Sequence, residues 1–147
     1  MLQEWDVWQL LKQKNIYQIL NKIIFMEIKV FFNDSCSICR FEINHYKKNS
    51  DNSLKWIDIT NNKDALALTS KSQEELIRRL HVIDNGQVIG GAKAFLIIWN
   101  KIPKYKFLSK VFSFKPLFLI FHYFYEVIAY FLFLKNKKQL KQNKKVF

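Results

Sequence analysis

The chain has 147 residues, half of them hydrophobic and 16% aromatic, with 3 Gly, 2 Pro and 2 Cys. That suits one domain with a sizeable core, and it excludes a disordered chain, a Gly/Pro-rich fibre, a disulfide-dense secreted scaffold and a four-cysteine zinc ribbon. The charge is uneven: residues 1–92 are nearly balanced, whereas residues 93–147 carry 12 basic side chains against one acid, Glu126. Such a rear third either solubilises an apolar protein or meets an anionic surface; a membrane fits better than a specific nucleic acid, because no nucleic-acid motif accompanies the charge.

In chain order, residues 1–25 have apolar positions at helical spacing. Glu4 and Asp6 lead, and Lys12, Lys14 and Lys22 interrupt, so the stretch does not read as a secretory signal. The expectation is a reducing, cytoplasmic setting, where two nearby cysteines serve chemistry or metal binding before structure. Met26 is a second candidate start. Residues 1–25 are therefore read as an N-terminal helical extension, 26–134 as the domain, and 135–147 as a basic tail with six lysines.

Residues 27–33 predict a strand, rich in β-branched and aromatic side chains. Asn33-Asp34-Ser35 is a turn in which Asp34 or Ser35 could cap a helix over about 36–48. A polar loop follows, then a second strand over 54–59, completing a parallel crossover unit. Residues 65–71 have no clear period. Ser72 and Glu75 stand at capping-box spacing ahead of a short helix. Asn85-Gly86, between 81–84 and 87–89, is a type I′ hairpin signal. A helix over 92–100 ends before Pro103; helices over 104–114 and from Pro116 to about Leu134 follow. The order β-α-β-α-β-β-α, with a helical C-terminal extension, resembles a thioredoxin-like α/β fold. The last helix holds Glu126 in its middle, which is costly in lipid, so it is read as a buried or half-buried cover on the core; its flanking lysines keep peripheral membrane contact as an alternative.

The chemistry centres on Cys36-Ser37-Ile38-Cys39 at the strand-to-helix junction. A cysteine at a helix N-terminus meets unpaired N–H groups and the positive dipole end, which favour a thiolate. A second cysteine one turn on can resolve a mixed disulfide. Cys36 is accordingly read as the solvent-open nucleophile and Cys39 as the resolving thiol, without metal or organic cofactor. Two other readings stay open: inert buried thiols, or half a metal site completed by His45, His81 or His122. Arg40 could add positive potential. His81, entering the third strand, could lie near Cys36 and tune or shuttle its proton, or simply bond to backbone. Asp58 could accept a proton beneath Cys39, or cap the next loop. Glu42, six residues after Cys36, reads as surface.

The stretch Val30 to Glu42, with Trp56-Ile57-Asp58-Ile59, His81-Val82-Ile83-Asp84 with Gly86, Gly91-Ala92, Ala94-Phe95, Leu108, Pro116, Tyr125 and Ala129, resembles the DCC-type thiol-disulfide oxidoreductases over residues 27–131. Where that family carries Asp-Gly, this chain has Asn33-Asp34, so the signature Asp is displaced to Asp34 or replaced. The resemblance implies a thioredoxin-like fold, a redox activity through Cys36 and Cys39, and thiol or disulfide substrates. The rival expectation is a non-catalytic thioredoxin-like binding module, or a membrane-peripheral protein using its basic C-terminal third.

Overall fold

In the computed structural model, which describes residues 4–141, helix α1 (Glu4–Met26) leads into strand β1 (Ile28–Phe32). Helix α2 (Ser37–Asn49) and strand β2 (Leu54–Asp58) follow, then helices α3 (Lys63–Thr69) and α4 (Gln73–Arg78). Strands β3 (His81–Asp84) and β4 (Gln87–Gly90) form the hairpin. Helix α5 (Ala92–Lys101), a 3-10 turn (Pro103–Tyr105), α6 (Lys106–Phe112) and α7 (Lys115–Asn136) close the chain. The four strands lie in the order β2-β1-β3-β4, with β1 and β2 parallel and the other pairs antiparallel. This is the thioredoxin-like α/β arrangement that the element order predicts.

Side chains alternate across the sheet because the strand period is two. Ile28, Val30, Phe32 and Val82 point to the face covered by α2 and α5; Phe31 and Ile83 point to the face covered by α3 and α4. Burying each such side chain contributes about 1.5–3 kcal/mol. The hairpin turns as its sequence predicts, with Asn85 and Gly86 both at positive φ. The Ser72–Glu75 capping box is fully formed, and the bonds from Ser72 and Lys71 hold the Glu75 carboxyl down at about 2.

Several expectations are corrected. Residues 63–69 form a helix, started by the Asn62 side chain accepting from the Ala65 N–H and ended by Ser70 in the left-handed region. The expected 104–114 helix divides into a 3-10 turn and α6, because Pro103 sets a tight first turn. The last helix continues to Asn136, and residues 138–141 add a helical turn where a basic tail was expected. Within that turn Leu140 packs against the Phe31 cluster. Residues 142–147 of the expected tail lie outside the described residues.

The last helix covers the core along one side only, as the half-buried form of the expected cover does. Only one stripe packs: Phe121 and Tyr125 join the aromatic cluster of Phe95 and Trp99, and Ala129 is buried. Ile120, Tyr123, Val127, Phe131 and Leu134 form a regular exposed stripe on the other side. The packed side is fixed by Arg79, whose Nε and Nη2 donate to both Glu126 oxygens (2.8 and 2.7 Å). The Leu80 N–H donates to the Tyr125 hydroxyl (3.0 Å).

Candidate active site

Cys36 is the N-cap of α2, and its Sγ accepts the Cys39 N–H (3.3 Å). Neither Asp34 nor Ser35 caps this helix; the sulfur does. Its main-chain oxygen receives the Arg40 N–H (2.8 Å). The two sulfurs are bonded as a disulfide across a Cα–Cα distance of 5.2 Å, within the range usual for such a bridge.

The exposure of the pair is opposite to expectation. Cys36 is 3% exposed, whereas Cys39 is half-buried and borders a cavity of about 280 Å³. The difference follows from Cys36 being the extended N-cap residue, outside the helical turn that carries Cys39. Residues 39, 42, 43 and 46 lie on one face of α2, turned toward the core and the cavity, while Cys36 sits beneath the first turn against the end of β1.

Glu42, read as surface, lines that same cavity. Its Oε1 accepts the Tyr46 hydroxyl (2.8 Å), and Tyr46 in turn accepts the Trp99 Nε1–H (3.0 Å). Burial pushes the Glu42 carboxyl above the usual carboxylate range, and the Tyr46 bond offsets part of that rise. Burial, with Glu42 beside it, also pushes the Tyr46 phenol up. Among the described residues Glu42 has no ion-pair partner. The signal that could have found it was present in the sequence: Glu42 falls at helical spacing between Cys39, Ile43 and Tyr46.

The loop before the motif is braced from two sides. Asp58 Oδ1 accepts the Asp34 N–H (3.0 Å), the Thr60 N–H (3.0 Å) and the Thr60 hydroxyl (2.8 Å). Asp58 thus caps the loop after β2 and ties it to the loop carrying Cys36. Asn33 is buried; its Oδ1 accepts the Ser35 N–H (3.1 Å) and its Nδ2 donates to Gln139 Oε1 (3.0 Å). The contact from Gln139 was not foreseen, because nothing local in the sequence links positions 106 residues apart.

The remaining candidates do not gather at the sulfurs. Arg40 is exposed. His81 is buried, pairs across the sheet with Phe31, and lies on the face away from α2. Its Nδ1 bonds to the Arg79 main-chain oxygen (2.8 Å), and a Cβ on Gly90 would stand 2.7 Å from its Nε2. Burial pushes the His81 imidazole below its ordinary value. His45 bonds to the Tyr105 hydroxyl, and His122 stacks on Phe118. Among the described residues no three His, Cys, Asp or Glu side chains gather as metal ligands.

This arrangement is suited to disulfide exchange at the sulfur that borders the cavity, with a carboxyl that burial pushes upward one turn away. A family model described as DCC1-like thiol-disulfide oxidoreductase matches residues 30–136. No curated protein and no solved structure matches the chain.

Proposed function

Because the chain belongs to the DCC1-like thiol-disulfide oxidoreductase family, we propose that in its exchange reaction Cys39 is the sulfur that bonds the substrate and Cys36 the sulfur that leaves. The activity itself is thiol-disulfide exchange through the Cys36–Cys39 pair. The observation that carries the assignment is that Cys39 borders the cavity while Cys36 is buried as the cap of α2.

A substrate thiolate entering the cavity attacks Cys39 Sγ. The Cys36–Cys39 bond breaks, and its electron pair leaves on Cys36 Sγ, where the helix N-terminus stabilises the anion. A thiol departs faster when its anion is stabilised, so the capping position at the helix N-terminus suits the leaving sulfur. A second substrate thiolate then attacks the substrate sulfur of the mixed disulfide. The substrate leaves oxidised, and both cysteines are reduced. Glu42 lends a proton to the Cys39 thiolate; run backwards, the same states reduce a substrate disulfide and Glu42 takes that proton. Asp58 and Asn33 hold the loop, Asp34 offers its N–H to that brace, and Arg40 contributes only distant positive potential. His81 packs where β3 meets β4, against Gly90, rather than at the sulfurs. Catalysed reduction of 2-hydroxyethyl disulfide tests the reading: turnover that vanishes in the Cys36→Ser/Cys39→Ser double variant supports it, and turnover that persists contradicts it.

The exposed stripe of α7 supports a second element of the reading, docking on an anionic bilayer surface. The helix is long and apolar enough to cross a membrane, with a mean hydropathy of 1.9, and 6% of that window is buried in the domain. Yet Arg79 and Leu80 bind its middle sideways to the sheet, which suits a helix lying along the interface. Exposed Phe107 and Phe114 extend the apolar face. Lys106, Lys110 and Lys115 flank one end, and Lys135, Lys137 and Lys138 the other, matching acidic headgroups.

A further inference from the structure

We infer that the cavity at Cys39 is a seat for a neutral apolar group, the size of one or two aromatic rings, attached close to the reacting sulfur of the substrate. This rests on the assignment of Cys39 as the substrate-bonded sulfur. The walls come from every layer of the fold: Phe32 from the sheet, Ile43 from α2, Leu76 from α4, Trp99 from α5, and Phe124 and Leu132 from α7. At about 280 Å³ the space exceeds the roughly 150 Å³ that admits benzene in an apolar protein cavity. It is too small for a whole peptide, and suits one side chain or an equivalent ring.

The charge on the walls is already matched within the protein. Arg79 is held by both oxygens of Glu126, and burial favours the neutral carboxyl of Glu42. Arg78 is exposed and faces water at the rim. A charged group entering would lose hydration without gaining a free partner, whereas an apolar group gains by leaving water. Selection therefore works on the group beside the sulfur, while the exchange chemistry is the same for every thiol.

The test compares two disulfides with the same leaving thiol: that of N-acetyl-phenylalanyl-cysteinamide and that of N-acetyl-seryl-cysteinamide. The expected result is a kcat/KM at least about tenfold higher for the phenylalanyl form, the effect of burying one aromatic side chain. Ala129→Phe, which fills the cavity from α7, should bring the ratio toward one; Leu132→Trp on the same wall serves if that variant does not fold. A 2-phenylethyl against a 2-hydroxyethyl disulfide assigns the source. Preference in both series supports a seat open to small thiols and protein cysteines alike, and preference among peptides alone supports a seat for protein cysteines. Equal rates for both peptides would overturn the apolar seat and leave the exchange reading standing. Turnover of neither would count against the exchange reading itself.

Discussion

Cys36 Sγ accepts the N–H of Cys39, 3.3 Å away, so one sulfur of the redox pair caps the helix on which the other stands. The bond divides the labour between them. The capping sulfur sits at the helix N-terminus, whose N–H groups favour a negative charge, and the second borders the cavity where a substrate can arrive.

Glu42 is expected to carry the proton of Cys39. Glu42→Gln keeps an acceptor for the Tyr46 hydroxyl but cannot give up a proton. Turnover should fall on the order of a hundredfold, the low end of general acid–base effects, and the pH–rate profile should lose one limb. Stability should change with the opposite sign. Because the folded carboxyl is raised, the stability it contributes is fully present below its unfolded value of about 4.3 and is lost as pH rises through the folded one. Denaturant melts at alkaline pH should therefore favour the Gln variant relative to the parent; an unchanged profile and unchanged stability would exclude this role.

His81 has its folded pKa lowered by burial, so its contribution is present above the unfolded value of about 6.5 and is lost as pH falls through the folded value. His81→Gln should flatten the loss of stability below about pH 6.5. The same variant should leave the Cys36 thiolate titration where it was, because the imidazole bonds to Arg79 and Gly90 lies against it. A shifted thiolate titration would return His81 to the active site.

The Arg79–Glu126 pair fixes the wall that α7 gives to the cavity. Arg79 holds the Glu126 carboxyl below its usual range. Glu126→Gln should cost about 1 kcal/mol near neutral pH, given the pair's partial exposure. That difference should disappear as pH falls below the unfolded Glu value of about 4.3 and on through the folded one. Equal melting of both proteins at every pH would show that the pair does not anchor α7.

Membrane docking predicts co-sedimentation with phosphatidylserine-containing vesicles, weak binding to pure phosphatidylcholine, and release by salt. Each lysine near the surface contributes about 1 kcal/mol. Replacing Val127 and Phe131 with Ser should remove binding without touching the packed stripe or the cavity wall. If the protein instead forms dimers that ignore vesicles, the face serves a second copy.

Local signals in the sequence were reliable where one residue type dictates one geometry. Asn85-Gly86 made the turn, Ser72 and Glu75 made the box, and Cys36 and Cys39 came together at the helix start. What was missed depended on distant chain. Whether Cys36 or Cys39 meets the cavity follows from where α5 and α7 pack, which no window around the motif contains. Glu42 looked like surface because its type is usually exposed, and its helical phase was the better guide. Asp58 held both candidate roles in sequence; only the loop geometry places Asp34 and Thr60 on its carboxylate.

The central assignment is tested most directly by trapping mixed disulfides. Single variants Cys36→Ser and Cys39→Ser would each be incubated with a mixed aryl disulfide substrate and mapped by mass spectrometry. The account predicts a stable adduct on Cys39 in Cys36→Ser and little on Cys36 in Cys39→Ser. An adduct formed on Cys36 in Cys39→Ser, with none on Cys39 in Cys36→Ser, would contradict it.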